Sequence, residues 1–273
     1  MKKWYGLVWL CGMLLTAVPA LARGGDAVPF AAGEELLYTV SYRAAMWPNT
    51  DMGDVVLSVT EDVTEGQPTL RIDARATVKG VFRWFYELDD RYYSWLRAED
   101  LRPLRARAEL LEGDYRFSSE FRYDWAKDVA RNSYRNHAKR RTPLEATVAL
   151  EGAAMDGVSL FYNLRSHDLD AYRPGEVRTL ALLLKDKVRY VQYTYYGRET
   201  VRVKGLGKVQ TLKFSCQLIN DDADSFEDGS EFFVWISDDA NKIPVLLESP
   251  LRVGSVRARL VAYDGLKYRH RAF

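Results

Sequence analysis

Hydrophobic and polar residues alternate with a period of two along most of this chain, the spacing of extended strands with one face buried. In LLYTVSYR, Tyr38, Val40 and Tyr42 share one face while Thr39 and Ser41 share the other. GDVVLSVTEDV repeats the pattern with Val55, Leu57 and Val59, and TLRIDARATV repeats it with Leu70, Ile72, Ala74 and Ala76. The same spacing predicts strands at 88–95, 104–111, 115–123, 128–134, 144–150, 177–184, 188–196, 199–203, 209–219, 232–237, 243–249 and 255–263. Many are separated only by short turns, at Glu112 to Asp114, Asp124 to Asp128 and Lys204 to Gly207. Parallel pairing needs a crossover of about a dozen residues, so these neighbours pair antiparallel, as a meander.

Two places break the period. In DGVSLFYNLRSHDL, Val158, Leu160, Phe161 and Leu164 fall at helical spacing and Asp156 can cap the first turn. In KGVFRWFYELDDRYYSWL, Phe82, Trp84, Phe85 and Tyr86 crowd a bend after Gly80. A sheet of so many strands must curl, close or be covered to protect its edges. The expected class is therefore all-β with minor α content: a large antiparallel, strongly curved sheet, barrel or half-barrel, with one or two short helices covering or plugging its concave side.

The N-terminus reads differently. Lys2 and Lys3 precede an apolar run from Trp4 to Val18 and the small-residue pattern Ala20-Leu21-Ala22. These are the parts of a secretory signal peptide spanning 1–22; the run is shorter than the roughly 20 apolar residues a bilayer span needs, and no later stretch approaches that length. Residues 23–33 read as a loose lead, and 34–273 as one β-rich domain without linker or repeat. The expected protein is exported, periplasmic or secreted, and not membrane-spanning.

Processing there removes two lysines and no acid, so the 39 basic residues fall to 37 against 38 acids. A balanced chain outside the cytoplasm has no global field for nucleic acid, which is not an expected partner. Cys11 leaves with the signal segment, so no intramolecular disulfide forms, and Cys216 reads as a buried apolar side chain.

Candidate chemistry is sparse. Asp238 and Asp239 in WISDDANKIPVLLES read as hairpin punctuation, because Asp and Asn bond nearby backbone and tolerate turn conformations. Pro244 lacks an N–H, so the returning strand begins at an edge or leaves that position unpaired. Glu34-Glu35 and Asp89-Asp90 read as solvated charges at strand beginnings. The acidic stretch 221–228 offers oxygen ligands for Ca²⁺ but places Phe226 where a ligand belongs, so a flexible acidic loop is the expectation. His137, His167 and His270 lack metal-ligand spacing, Ser166-His167-Asp168 is adjacency without triad geometry, and phosphate-binding and nucleophile-elbow motifs are absent. No metal or cofactor is expected. Arg135, Lys139, Arg140 and Arg141 form the one local basic cluster, a candidate contact for anionic headgroups or glycans, or else a solvated strand end. Phe82, Trp84, Phe85, Tyr86 and Phe161 are the candidates for a hydrophobic ligand site, although most aromatics of such a chain belong to core.

PFAAGEELLYTVSY, GVFRWFYELDDRYYSW, SLFYNLRS, YYGRETVRVKGLGKVQTLKF and VWISDDANKIPVLLESPLRVGSVRARLVAY together resemble the exported bacterial family named domain of unknown function 3108, from about Gly33 to Leu266. The resemblance implies an exported β-rich fold and brings no reaction and no catalytic residues. VWISDDANKIPVLLES alone is similar to strands of periplasmic lipoprotein carriers, which hold acyl chains in a half-barrel. The functional expectation is non-catalytic binding of a lipid or other hydrophobic envelope molecule in a curved sheet. The alternatives are an envelope assembly factor with a solid core and a protein partner, or a glycan or lipid hydrolase using carboxylates such as Asp90 or Asp239.

Overall fold

The structure, a computed structural model, describes residues 28–44, 47–219 and 231–272. Fourteen strands form one antiparallel sheet: β1 (Glu35–Ala44), β2 (Trp47–Thr64), β3 (Gln67–Val78), β4 (Asp89–Arg97), β5 (Pro103–Glu112), β6 (Tyr115–Asp124), β7 (Val129–Asn136), β8 (Leu144–Ala149), β9 (Val177–Leu184), β10 (Lys187–Val203), β11 (Gly207–Ile219), β12 (Phe232–Ser237), β13 (Pro244–Pro250) and β14 (Ser255–Asp264). Their order is β8-β7-β6-β5-β4-β3-β2-β1-β14-β13-β12-β11-β10-β9. Sequential neighbours pair from β1 to β8 and from β9 to β14, and the pairing of β1 with β14 joins the two runs. The all-β, strongly curved antiparallel class expected from the period is the class found.

One boundary differs. The strands expected at 188–196 and 199–203 are a single strand, β10, which pairs with β11 along its length across a bulge at Gly197. Gly197 has φ +107, a region that side chains avoid, so glycine carries the bulge without ending the ladder.

The sheet curls without closing. Its edge strands β8 and β9 do not pair with each other; the segment between β8 and the helix bridges them. Leu150 N–H donates to Asp128 O, Met155 N–H donates to Ala181 O, and Leu183 N–H donates back to Met155 O at 2.8 Å. Beneath this seam Ala130, Val148, Leu150, Ala154, Ala181 and Leu183 form one buried cluster drawn from both edges. The edge problem of a long sheet is thus met by a covering segment and apolar burial.

Helix α1 (Gly157–Arg165) lies inside the curl. Asp156 caps it as expected, accepting from Ser159 N–H at 3.1 Å, and also accepts from Ser94 Oγ on β4 and Tyr123 Oη on β6. Its last residue, Arg165, is buried and forms a bidentate pair with Glu34 at 2.6 and 2.7 Å, while also donating to Asn241 O. The Arg165 guanidinium lies 5.2 Å from the Phe30 ring centroid and 5.1 Å from that of Tyr162. Helix α1 is therefore tied to the sheet wall at its start and to one end of the curl at its finish.

Three local expectations are corrected here. Glu34 is 1% exposed rather than solvated, because Arg165 neutralises it inside. Asp90 is fully buried as well. The part of the lead within the described residues is not loose: Phe30 is buried edge-on against Tyr162 at 4.7 Å. Pro244 begins a strand flanked on both sides, not an edge, and the ladder shifts register there.

Candidate functional site

In an antiparallel meander, alternate connections fall at opposite ends. The turns β2–β3, β4–β5, β6–β7, β10–β11 and β12–β13 gather at one end, which the Phe30, Arg165 and Glu34 assembly closes. The turn between β12 and β13 belongs to this plug. Asp239 Oδ1 accepts from Ser237 Oγ at 2.9 Å and Asn241 N–H at 3.0 Å, and Asp238 pairs with Arg198 at 2.8 Å. Asn241 exchanges hydrogen bonds with Tyr268 of the C-terminal segment, and Lys242 Nζ reaches His167 O after the helix. The two aspartates serve the turn and its neighbours, as their spacing suggested, and do not converge on a common point. His167, buried beside Lys242 and Arg178, is pushed down to about 4 and stays neutral at ordinary pH.

The opposite end leads into a cavity of about 820 Å³. Its floor is the start of α1, with Asp156, Gly157, Val158 and Phe161; its walls include Tyr38, Val40, Leu57, Tyr92, Leu110 and Phe121. The space has a visible cause in the residues: Ala74 and Ala76 on β3, Ala106 and Ala108 on β5, and Ala258 on β14 all line it. Small side chains facing inward along neighbouring strands leave room that larger ones would fill. The β10–β11 side shows the contrast, where Tyr172, Tyr193, Tyr195 and Phe214 pack with ring centroids 5.0 to 6.3 Å apart.

Near the open end the lining turns polar, with Asn136 at the end of β7, Lys139 and Arg140 from the β7–β8 connection, Lys185 after β9, and Glu112 at the end of β5. Beside Glu112 lies Asp90. Its Oδ1 accepts from Leu111 N–H at 3.0 Å and its Oδ2 has no hydrogen-bond partner among the described residues. Burial and the neighbouring Glu112 raise the Asp90 carboxyl to about 7, and burial raises Glu112 too, opposed by the Tyr86 hydroxyl. Both acids therefore hold their protons more tightly than free carboxyls do.

The candidates singled out in the sequence separate into four groups. Phe161, Lys139 and Arg140 line the cavity. Phe82 and Tyr86 do not line it but pack against Ala76, Val78 and Leu88 in a small neighbouring cluster. Trp84 and Phe85, in the 3₁₀ turn Gly80–Trp84 and its cap, are 89% and 83% exposed at the open end. Arg135 donates to Arg141 O within its own hairpin, and Arg141 is exposed. The acidic stretch 221–228, the apolar run 4–18 and the cleavage pattern lie outside the described residues. Cys216 is buried, as expected. Among the described residues no group of His, Cys, Asp and Glu is arranged to hold a metal ion, and no helix is long and apolar enough to cross a membrane. The alanine rows were missed because their significance depends on which strands curl to face one another.

Comparison with known proteins supports the fold. A β-barrel-like protein of domain of unknown function DUF1849 from Brucella abortus superposes with a TM-score of 0.56 at 14% identity, over 87% of this chain and 99% of that one. A candidate lipoprotein from Parabacteroides distasonis matches over 86% of this chain and 97% of its own, at 8% identity and a TM-score of 0.35. No curated protein matches. The family profile of proteins of unknown function DUF3108 matches residues 37–261, nearly the whole sheet from β1 to β14, and the chain belongs to that family.

Proposed function

We propose that this is an exported envelope protein, released from a signal segment at residues 1–22, whose single β-rich unit binds an amphiphilic lipid without catalysing a reaction. The observation that carries the proposal is the cavity: about 820 Å³, largely apolar, with Lys139, Arg140 and Lys185 near its open end. Sites for small organic ligands span roughly 300–1,000 Å³ and combine apolar walls with a few placed polar groups. Hydrocarbon lies on Val40, Leu57, Phe121 and Phe161 above the helix, and an anionic headgroup meets the two β7–β8 cations at the exit. Charge-assisted contacts of that kind orient the ligand, whereas burial of its chain supplies most of the affinity. A hydrolase is the weaker alternative, since Asp239 is committed to its turn and Asp90 is fully buried.

Gentle purification followed by organic extraction and mass spectrometry tests the proposal. Lipid at a stoichiometric level is expected from the wild type. Ala108→Trp, which places an indole in the cavity, is expected to reduce it at least fivefold while the protein stays folded. A lipid-free protein that neither takes up a fluorescent fatty acid nor melts higher in its presence would defeat the proposal.

A further inference from the structure

We infer that the open end of the curled sheet docks on the surface of an anionic phospholipid bilayer, with the turn between β3 and β4 as its apolar anchor. Trp84 and Phe85 are by far the most exposed aromatics among the described residues. They sit side by side on a one-turn element with no packing role for their rings, although both are large apolar groups that water disfavours. The turn between β13 and β14 belongs to the same end and exposes Leu251 and Val253, Val253 at 68%. Four large apolar side chains thus project from two turns of one rim.

The charge around them selects the partner. Arg83 and Arg252 are exposed within the two apolar turns, and Lys139, Arg140 and Arg141 are exposed on the β7–β8 connection at the same end. Against these stand Glu87 and Asp114, while Lys185 and Asp186 lie close enough to offset each other. Aromatics that enter the interface, flanked by cations that meet lipid phosphates, are the combination that binds a charged bilayer surface. A protein partner with an apolar groove would use the aromatics but has no need of cations spread over three connections. The acidic stretch 221–228, outside the described residues, belongs to the connection from β11 to β12, and β12 is the neighbour of β13, so the attraction belongs to the arc carrying β3 to β8.

Two turns are held in shape for this. Gly254 has φ +79 and a Cβ there would lie 2.2 Å from Arg43 O, so only glycine keeps the β13–β14 turn close against β1. Tyr42 Oη fastens the same turn by donating to Val253 O at 2.9 Å. In the other turn, Phe85 and Tyr86 N–H both donate to Phe82 O, which turns the two exposed rings outward while Phe82 stays packed.

The test is cosedimentation of the chain lacking residues 1–22, since residues 28–272 contain every described strand. Vesicles of phosphatidylethanolamine with phosphatidylglycerol are compared with vesicles of phosphatidylcholine alone. Binding to the anionic vesicles is expected, with at least tenfold loss in Trp84→Ser/Phe85→Ser. Lys139→Ser/Arg140→Ser/Arg141→Ser should weaken it and flatten its dependence on salt. Both variants should melt with the wild type, because the altered side chains are exposed. Equal binding by all three proteins, or no binding to anionic vesicles at low salt, overturns the inference. Ala108→Trp, emptied of lipid, is expected to bind vesicles normally, so a failure of docking and a failure of the cavity proposal remain distinguishable.

Discussion

Arg165 and Glu34 lie 131 positions apart and meet in the interior, both almost without exposure. Taking such a pair out of water costs several kcal/mol per ion, which is recovered only by excellent geometry. The bidentate contact, the Asn241 carbonyl and the Phe30 and Tyr162 rings supply that geometry. Arg165→Met leaves an unpaired buried carboxylate and should lower the unfolding free energy by about 3–5 kcal/mol in urea titration, whereas Glu34→Leu/Arg165→Met should recover most of that loss. Asp90 calls for a different measurement. Its folded carboxyl holds a proton up to about pH 7, whereas the unfolded chain releases that proton near the ordinary value of 3.8. Stability from this group is therefore full below about pH 4 and falls as the pH rises towards 7. Asp90→Asn removes the penalty, keeps an oxygen for Leu111 N–H and should stabilise the protein at pH 8. Its advantage over wild type should grow between pH 4 and 7 to at most about 4 kcal/mol, read from melts across that range.

Among the elements, α1 has nine residues, too short to be stable alone, and it depends on what its ends touch. Asp156 satisfies Ser159 N–H at the first turn and links the helix to Ser94 and Tyr123 on two strands. Asp156→Ala should therefore cost more than the ~1 kcal/mol of an ordinary cap. It should also speed hydrogen exchange in α1 before the sheet, which mass spectrometry resolves by segment. The capped helix was legible in local sequence because capping and amphipathic spacing act within a few residues. So were nearly all the strands, with the join at Gly197 as the exception: a bulge reverses the alternation locally and mimics two strands.

At the scale of the molecule, the same inner surface is solid on one side and hollow on the other. Tyr193, Tyr195 and Phe214 fill the β10–β11 side, whereas alanines on β3, β5 and β14 open the cavity. Ala258→Phe, on the opposite wall from β5, is a further check on that account: it should exclude a fluorescent fatty acid with little change in melting temperature, because it fills a void without displacing packed atoms. A loss of folding instead would show that the inner face has no spare room at β14.

Local sequence determined the class of structure. Period-two alternation and short turns act between near neighbours, so they specify an antiparallel meander, its one helix and the role of Asp238 and Asp239 as turn residues. Tertiary structure alone decided what that meander encloses. Glu34 and Asp90 looked solvated because a carboxylate next to a strand start carries no mark of the partner or the burial that awaits it. Phe30 looked loose because one apolar residue in a short lead has no period. The alanines looked like ordinary small strand residues until curling set them around one space. Phe82 and Trp84, two positions apart, part into a packed cluster and an exposed rim through the path of a single turn. Burial, cavity and rim are properties of surfaces brought together from distant strands, and only the curl of the sheet brings them together.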